Sequence, residues 1–223
     1  MTSPRFASSS ARGWRRRPEA KAEFVATVDF WYEFASTYSY PAAMRVEALA
    51  AELGLVVHWR PFLLGPILAA QGVTDSPFNL NPAKGRYMWR DLQRICARLD
   101  LPLRRPEPFP QNSLLAARAA LAVDDARRPE FSRAVYAAEF GAGEPIAERS
   151  TIAGVLEAMG LNAGDILERA ASAEIKDRLK SETACAQSLG IFGAPNLVTA
   201  DGEIFWGNDR LEEGLDWAAR LAR

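Results

Sequence analysis

The apolar pattern of the chain opens with residues 24–34, FVATVDFWYEF, a run dense in Val, Phe and Trp that predicts a strand. STYSYP follows, a hydroxyl-rich turn with Pro41, a residue that helices tolerate in their first turn. A helix then extends to about Leu53, because Val46, Leu49, Ala50 and Leu53 recur at i, i+3, i+4 and i+7. Gly54 suits its C-terminal stop. LVVHWRPF (55–62) predicts a second strand. A β–α–β opening places two parallel strands on a right-handed crossover.

The pattern changes between about Pro82 and Leu189, where strand signal fades. AKGRYMWRDLQRICARL carries Met88, Leu92, Ile95 and Leu99 on one helical face, and SLLAARAALAVDDA, PEFSRAVYAAEF, RSTIAGVLEAMG and EIKDRLKSETACAQSLG predict further helices separated by Pro and Gly. No segment repeats another at a fixed period, which argues against a solenoid. The end returns to β: APNLVTADGEIFW reads as two short strands around Asp201-Gly202, a strong hairpin signal. GNDRLEEGLDWAARLA is a final helix with Asn208 as its expected N-cap. The order β–α–β, helical insert, β–β–α is that of an α/β, thioredoxin-like fold with a large all-helical insertion domain. The expected division is a basic, disordered arm over 1–23, a thioredoxin-like domain over 24–66 and 190–223, and a helical insertion over 67–189.

Charge sharpens the picture at one end. Residues 1–21 hold Arg5, Arg12, Arg15, Arg16, Arg17 and Lys21 against Glu19, with Ser8, Ser9 and Ser10 and no apolar run. A secretory signal needs such a run, so none is expected. The whole chain nets −1, which argues against nucleic acid as a main partner. Nowhere is there an apolar run long enough to span a bilayer. Cys96 and Cys185 are the only two cysteines, far apart and in helix-like segments, with neither C-x-x-C nor metal-type spacing. A reducing cytoplasm fits that usage. His58, the only histidine, lies mid-strand, which argues against a Ser–His–Asp hydrolase and a His-ligated metal.

In an α/β sheet, chemistry sits beyond the carboxyl ends of parallel strands, beside helix N-termini. Ser36 falls just there. It, or Ser39, either caps the helix or presents a hydroxyl where N–H groups and the positive dipole end converge, an environment that lowers the pKa of a nearby thiol. Ala194-Pro195 precedes the third strand, as an ordinary strand-entry proline or as a cis bond that leaves the Ala194 N–H and C=O free to pair with an extended peptide. Trp206-Gly207-Asn208-Asp209-Arg210 joins the last strand to the last helix. It reads as a capped surface helix, or as a turn whose N–H groups take a carboxylate while Asp209 takes an ammonium. Lys84, Arg86 and Arg90 form a cationic cluster, either a solvated face or a seat for an anion. Asn112-Ser113 precedes another helix and reads by default as its cap.

VDFWYEFASTYSYPA resembles the opening of the 2-hydroxychromene-2-carboxylate isomerase family, which is close to kappa-class glutathione transferases and more distantly to DsbA-type oxidoreductases. The resemblance continues through RPFLLGPILAAQG, SPFNLNPAKGRYMWRDLQR, PFPQNSLLAARAA and FGAPNLVTADGEIFWGNDRLE, over roughly 26–222. It implies a homodimer that binds glutathione. Ser36 then stands where redox relatives carry their attacking cysteine and faces the glutathione sulfur. Ala194, before the family's cis-proline Pro195, pairs with the glutathione backbone, and Trp206, Gly207, Asn208, Asp209 and Arg210 hold its γ-glutamyl end. Lys84 and Asn112 match substrate contacts. Thr37 and Asn196 depart from the family pattern, which usually has proline after the serine and a different residue after the cis-proline.

The implied activity is glutathione-dependent isomerisation of an aromatic 2-oxo acid, interconverting 2-hydroxychromene-2-carboxylate and trans-o-hydroxybenzylidenepyruvate by reversible thiolate addition. A kappa-like transferase would use the same site. A non-catalytic thioredoxin-fold binding module would keep the groove without turnover. A disulfide enzyme is poorly supported, because no cysteine stands at 36–39.

Overall fold

The structure, a computed structural model, describes residues 26–73 and 75–221. The basic arm expected at 1–23 lies outside them. Strand β1 (Thr27–Tyr32) ends two residues before the predicted run does. The chain bends there: the Ser36 N–H donates to the Glu33 carbonyl at 3.1 Å, and the Ser39 N–H donates to the Ser36 carbonyl at 3.1 Å. Helix α1 (Ser39–Glu52) crosses over to β2 (Val56–Pro61), which pairs parallel with β1 from Thr27↔Val56 to Tyr32↔Pro61.

Every regular element described between β2 and β3 is helical: α2 (Leu64–Ala70), α3 (Pro77–Leu80), α4 (Pro82–Arg98), α5 (Leu114–Ala122), α6 (Arg128–Tyr136), a π-helical turn (Ala137–Ala142), α7 (Arg149–Ala158), α8 (Ala163–Ala171) and α9 (Ala173–Ser188). Two starts show why local sequence suffices. Ser76 accepts from the Phe78 N–H and Asn81 from the Lys84 N–H, and each is followed by a proline whose missing N–H would have no helical partner anyway. The predicted hairpin follows as β3 (Asn196–Val198) and β4 (Ile204–Trp206), then a 3₁₀ turn (Asn208–Arg210) and α10 (Leu211–Leu221). The sheet order is β2-β1-β3-β4, with β3 antiparallel to both neighbours.

Strand periodicity of two divides the core. Phe30 and Tyr32 of β1 face the main cluster, with α1, α10 and helices α5 to α9; Trp31 faces the other side, with Phe62, Ile67, Ala186, Ile191 and Val198. The helices after β2 share that main core with the sheet, through Tyr32, Phe34 and Tyr136. The division we propose, an insertion over 67–189 on a frame of 24–66 and 190–223, is thus one of topology within a shared core.

Two capping expectations are overturned. Asn208 does not cap α10: it opens the 3₁₀ turn, no side-chain cap bond is made there, and its Oδ1 accepts from Arg45 Nε at 3.3 Å. Neither Ser36 nor Ser39 caps α1, whose N-cap position is Tyr38 with no side-chain cap bond. Ser39 is fully buried, and Ser36 points elsewhere.

Candidate active site

Three chain segments meet at the carboxyl end of β1. The first is the bend Glu33–Tyr38. The second is Gly193–Pro195, with the Ala194–Pro195 bond cis. The third is the turn Trp206–Arg210. Ser36 Oγ donates to the Ala194 carbonyl at 3.0 Å, across 158 positions of sequence. The Gly207 N–H donates to the Pro195 carbonyl at 2.9 Å. Trp206 packs on Phe192, ring centres 4.9 Å apart, and a β-carbon on Gly193 would lie 2.5 Å from the Trp206 indole nitrogen. Gly207 has φ 113°, which L side chains rarely adopt, and a β-carbon there would run into the Asp209 carboxylate.

The third segment is held from behind by α1. Arg45 Nη2 donates to the Asn208 carbonyl at 2.8 Å, and its guanidinium pairs with Glu212 at 2.5 and 3.1 Å. This fork is four-fifths buried on the arginine side, so the turn is clamped to the same helix that Ser36 precedes. Arg210 instead makes an exposed i,i+3 pair with Glu213 at 2.7 Å.

The bend itself is supported by groups that the sequence reading did not single out. Tyr136 Oη donates to the Glu33 carbonyl at 2.9 Å, and the Ser113 hydroxyl donates to the Glu33 carboxyl. Burial pushes the Glu33 carboxyl up to about 7; the Ser113 bond and the Ala35 backbone only partly offset it. Glu139, in the π-helical turn, is fully buried, and neither carboxyl oxygen has a hydrogen-bond partner among the described residues. Burial, then the nearby Glu33 charge, pushes it well above the usual carboxylate range, so it is held neutral. A lone acid inside an apolar run (WYEFA, AAEFG) was the available signal for both.

Thr37, where the family pattern has proline, is buried and donates to Met88 Sδ at 3.2 Å. Tyr38 Oη donates to Asp91 at 3.1 Å, and burial followed by the Asp91 charge raises that phenol. Asp209 also raises it, which puts the turn carboxylate on the same side of the bend. Helix α4 is therefore docked along the bend. Lys84 reaches the site only indirectly: its ammonium lies 5.5 Å from the Phe78 ring centre, and Phe78 is 6.4 Å from the Tyr38 ring. Asn112 Oδ1 accepts from the Leu114 N–H at 3.0 Å, while the N-cap position of α5 is Ser113, which makes no side-chain cap bond and donates to Glu33 instead. Neither Lys84 nor Asn112 hydrogen-bonds Ser36 among the described residues. Ser36, Ala194, Pro195 and Trp206–Asp209 are brought together; Lys84 and Asn112 flank them.

A parallel pair and an antiparallel hairpin, with a cis-proline facing the first helix start, define a thioredoxin-fold site with Ser36 at that helix start. Residues 27–216 match the DSBA-like thioredoxin domain family, so the chain belongs to that family. Within it, the chain belongs with the 2-hydroxychromene-2-carboxylate isomerases. It is 32% identical over 187 residues to the 2-hydroxychromene-2-carboxylate isomerase of Sphingobium xenophagum, covering 83% of this chain and 94% of that one. It is 30% identical over 201 residues to human glutathione S-transferase kappa 1, covering 83% and 88%. A solved 2-hydroxychromene-2-carboxylate isomerase superposes with TM-score 0.80 at 28% identity, covering 88% of this chain and 96% of that one.

Proposed function

We propose that the protein is a glutathione-dependent isomerase of 2-hydroxychromene-2-carboxylate-type aromatic acids. One observation carries this: the Ser36 hydroxyl lies at 3.0 Å from the carbonyl before the cis-proline, at the open start of α1. The residues present fit a γ-glutamyl tripeptide. The Thr37 and Tyr38 N–H groups have no backbone acceptor among the described residues, the Ala194 carbonyl keeps a second lone pair, and Asp209 offers a carboxylate at the turn. When bound, glutathione would supply a thiolate that adds to a conjugated carbon and is expelled unchanged after the carbon–carbon bond has turned.

The protein's own groups do the rest. Ser36 turns its hydroxyl from the Ala194 carbonyl toward the sulfur, a rotation about one side-chain bond. The carbonyl it leaves pairs with a ligand N–H, so one rearrangement serves both contacts. The α1 dipole and free N–H groups favour negative charge at that point. The turn Trp206–Asp209, held by Arg45 and Glu212, binds the amino-acid end, with Arg210 at its rim. Lys84 and the Nδ2 donors of Asn112 hold the substrate carboxylate.

The reading extends to a homodimer at work in the cytoplasm; sedimentation and fractionation test these. Among the described residues no helix is long and apolar enough to cross a membrane. Calorimetric titration should show glutathione binding at millimolar concentration or below, and absence of binding would sink the reading. Ser36→Ala should lower turnover of hydroxychromene carboxylate about 10²-fold, with glutathione affinity changed much less. Product analysis separates this from the transferase reading, which the kappa relative favours: an isomerase returns free glutathione, and a transferase consumes it.

A further inference from the structure

Glu33 commits both its carbonyl and its carboxyl to the bend that carries Ser36. The carbonyl accepts the Ser36 N–H at 3.1 Å and the Tyr136 hydroxyl at 2.9 Å, which occupies both lone pairs of that oxygen. The carboxyl accepts the Ser113 hydroxyl and meets the Ala35 backbone. Ser113 stands at the N-cap position of α5 and makes no cap bond there. A serine in that position ordinarily closes its own helix. Here its hydroxyl serves Glu33 instead, and the residue before it is Asn112. One side chain thus joins the Ser36 bend to the Asn112–Ser113 corner, across 80 positions of sequence.

The surroundings of this carboxyl hold no charge of opposite sign. Glu33 is only 7% exposed. From α6 it faces Tyr136, and from the π-helical turn Glu139, a second buried carboxyl with no hydrogen-bond partner. Tyr32 of β1 lies behind Tyr136, with ring centres 6.3 Å apart, and is tied to Ser132 at 2.7 Å. From α1, Ser39 borders Tyr136. No Lys, Arg or His is among the groups that act on Glu33 or Glu139. A negative charge on Glu33 would therefore stand uncompensated beside Glu139. It would also oppose a thiolate at Ser36, because like charges repel strongly where water is excluded. An uncharged Glu33 keeps an acceptor oxygen for Ser113 and exerts no such repulsion.

We propose that Glu33 is a positioning residue of the site: uncharged, it holds the Ser36 bend to the Asn112–Ser113 corner, and on losing its proton to solvent it disfavours a thiolate at Ser36. The inference rests on the proposed function, from which it takes glutathione as the source of that thiolate. Burial raises this carboxyl to about 7, so the change falls near neutral pH.

The test titrates the full chain by calorimetry between pH 5.5 and 8.5 with glutathione and with S-methylglutathione, whose thioether cannot ionise. Glu33→Gln keeps an acceptor for Ser113 and removes the charge. At pH 5.5 the variant and wild type should bind glutathione within about 2-fold of each other. At pH 8.5 the variant should bind it about 5- to 10-fold more tightly, a tenfold change being one pKa unit of interaction. S-methylglutathione should differ by no more than about 2-fold throughout. In turnover, kcat/KM of wild type should fall above about pH 7 relative to Glu33→Gln, so the variant is the faster enzyme at pH 8.5. A merely structural role would not produce a gain confined to high pH. Ser113→Ala removes a donor that favours the charged form, so its fall should begin at higher pH than that of wild type. Coincident pH profiles of wild type and Glu33→Gln, equal changes for the two ligands, a Glu33→Gln loss of the same size at every pH, or an unshifted fall in Ser113→Ala would each overturn the proposal. Should Glu33→Gln fail to fold, the Ser113→Ala profile decides alone. If wild type binds neither ligand, the isomerase reading fails and the proposal with it; if wild type binds and turns over while the profiles coincide, only the proposal fails.

Discussion

The two sides of the candidate site are built in different ways. The floor consists of Ser36, Ala194, Pro195 and the Trp206–Asp209 turn, three segments joined by backbone-based hydrogen bonds and braced by buried groups: Glu33 with Ser113 and Tyr136, and Arg45 with Asn208 and Glu212. The flank along α4 consists of exposed side chains on a well-capped helix: Lys84, Arg86, Arg90 and, across a cleft, Arg105. A floor held by main-chain contacts fixes the geometry of whatever reacts there. A flank of exposed cationic side chains tolerates change without loss of fold, and on the proposed reading it sets which ligand is drawn in. Substitutions in the floor should therefore register as stability and turnover, and those in the flank as ligand preference.

The largest expected effect tests the buried acid under the floor. Glu33 is raised from 4.5 to about 7 by burial. A carboxyl with a raised folded pKa contributes its full stability below about pH 4.5, where folded and unfolded chains are both protonated, and loses it as pH rises toward 7. The loss is at most about 3–4 kcal/mol on a 1.4 kcal/mol per unit scale. Urea unfolding between pH 4.5 and 8 should show stability falling over that window, and Glu33→Gln should flatten the fall; an unchanged slope in the variant would remove Glu33 as its source. Glu139, which burial also pushes well above the usual carboxylate range, contributes a fall of the same sign, so the Glu33 variant should lessen the fall and leave part of it.

Gly207→Ala comes next. Its φ of 113° and the Asp209 carboxylate leave no room for a side chain, so about 2 kcal/mol of stability should go, read as a lower Tm. Arg45→Met should cost about 1–2 kcal/mol, because it strips the Asn208 carbonyl and Glu212 of their donor. Its sharper signature is kinetic: KM for glutathione should rise while kcat stays near wild type, because the clamp holds the binding turn and not Ser36. Equal falls in kcat and kcat/KM would place Arg45 nearer the chemistry than the floor–flank division allows. The smallest stability effect belongs to the flank. Lys84→Ala should leave unfolding within about 0.5 kcal/mol, as exposed surface substitutions do, yet raise KM for the carboxylate substrate. A destabilised Lys84→Ala would show that the flank is structural after all.

The β–α–β opening, the helical middle and the Asp201-Gly202 hairpin are legible in the sequence because each rests on local periodicity and turn chemistry. Capping at Ser76 and Asn81 follows equally from neighbouring residues. The errors came where tertiary partners outbid local ones. Asn208 has the chemistry of a cap, but the Arg45 guanidinium, 163 positions away, takes its oxygen. Ser36 has the chemistry of a cap too, and its proton goes to Ala194 instead. Asn112, with no such competitor, bonds locally, to the Leu114 N–H.

By itself, then, the sequence determined the order of elements, the placing of a serine at the first helix start, the A-P and WGNDR segments at the far end, and the absence of a cysteine beside them. These follow from residue type and spacing, which fold locally. Only the tertiary structure decided that Ser36 meets Ala194, that Arg45 clamps the last turn, and that Glu33 and Glu139 are sealed in the core beneath the bend. Those facts depend on contacts between segments tens to more than a hundred residues apart, and burial and pairing at that range leave no periodic trace in the chain.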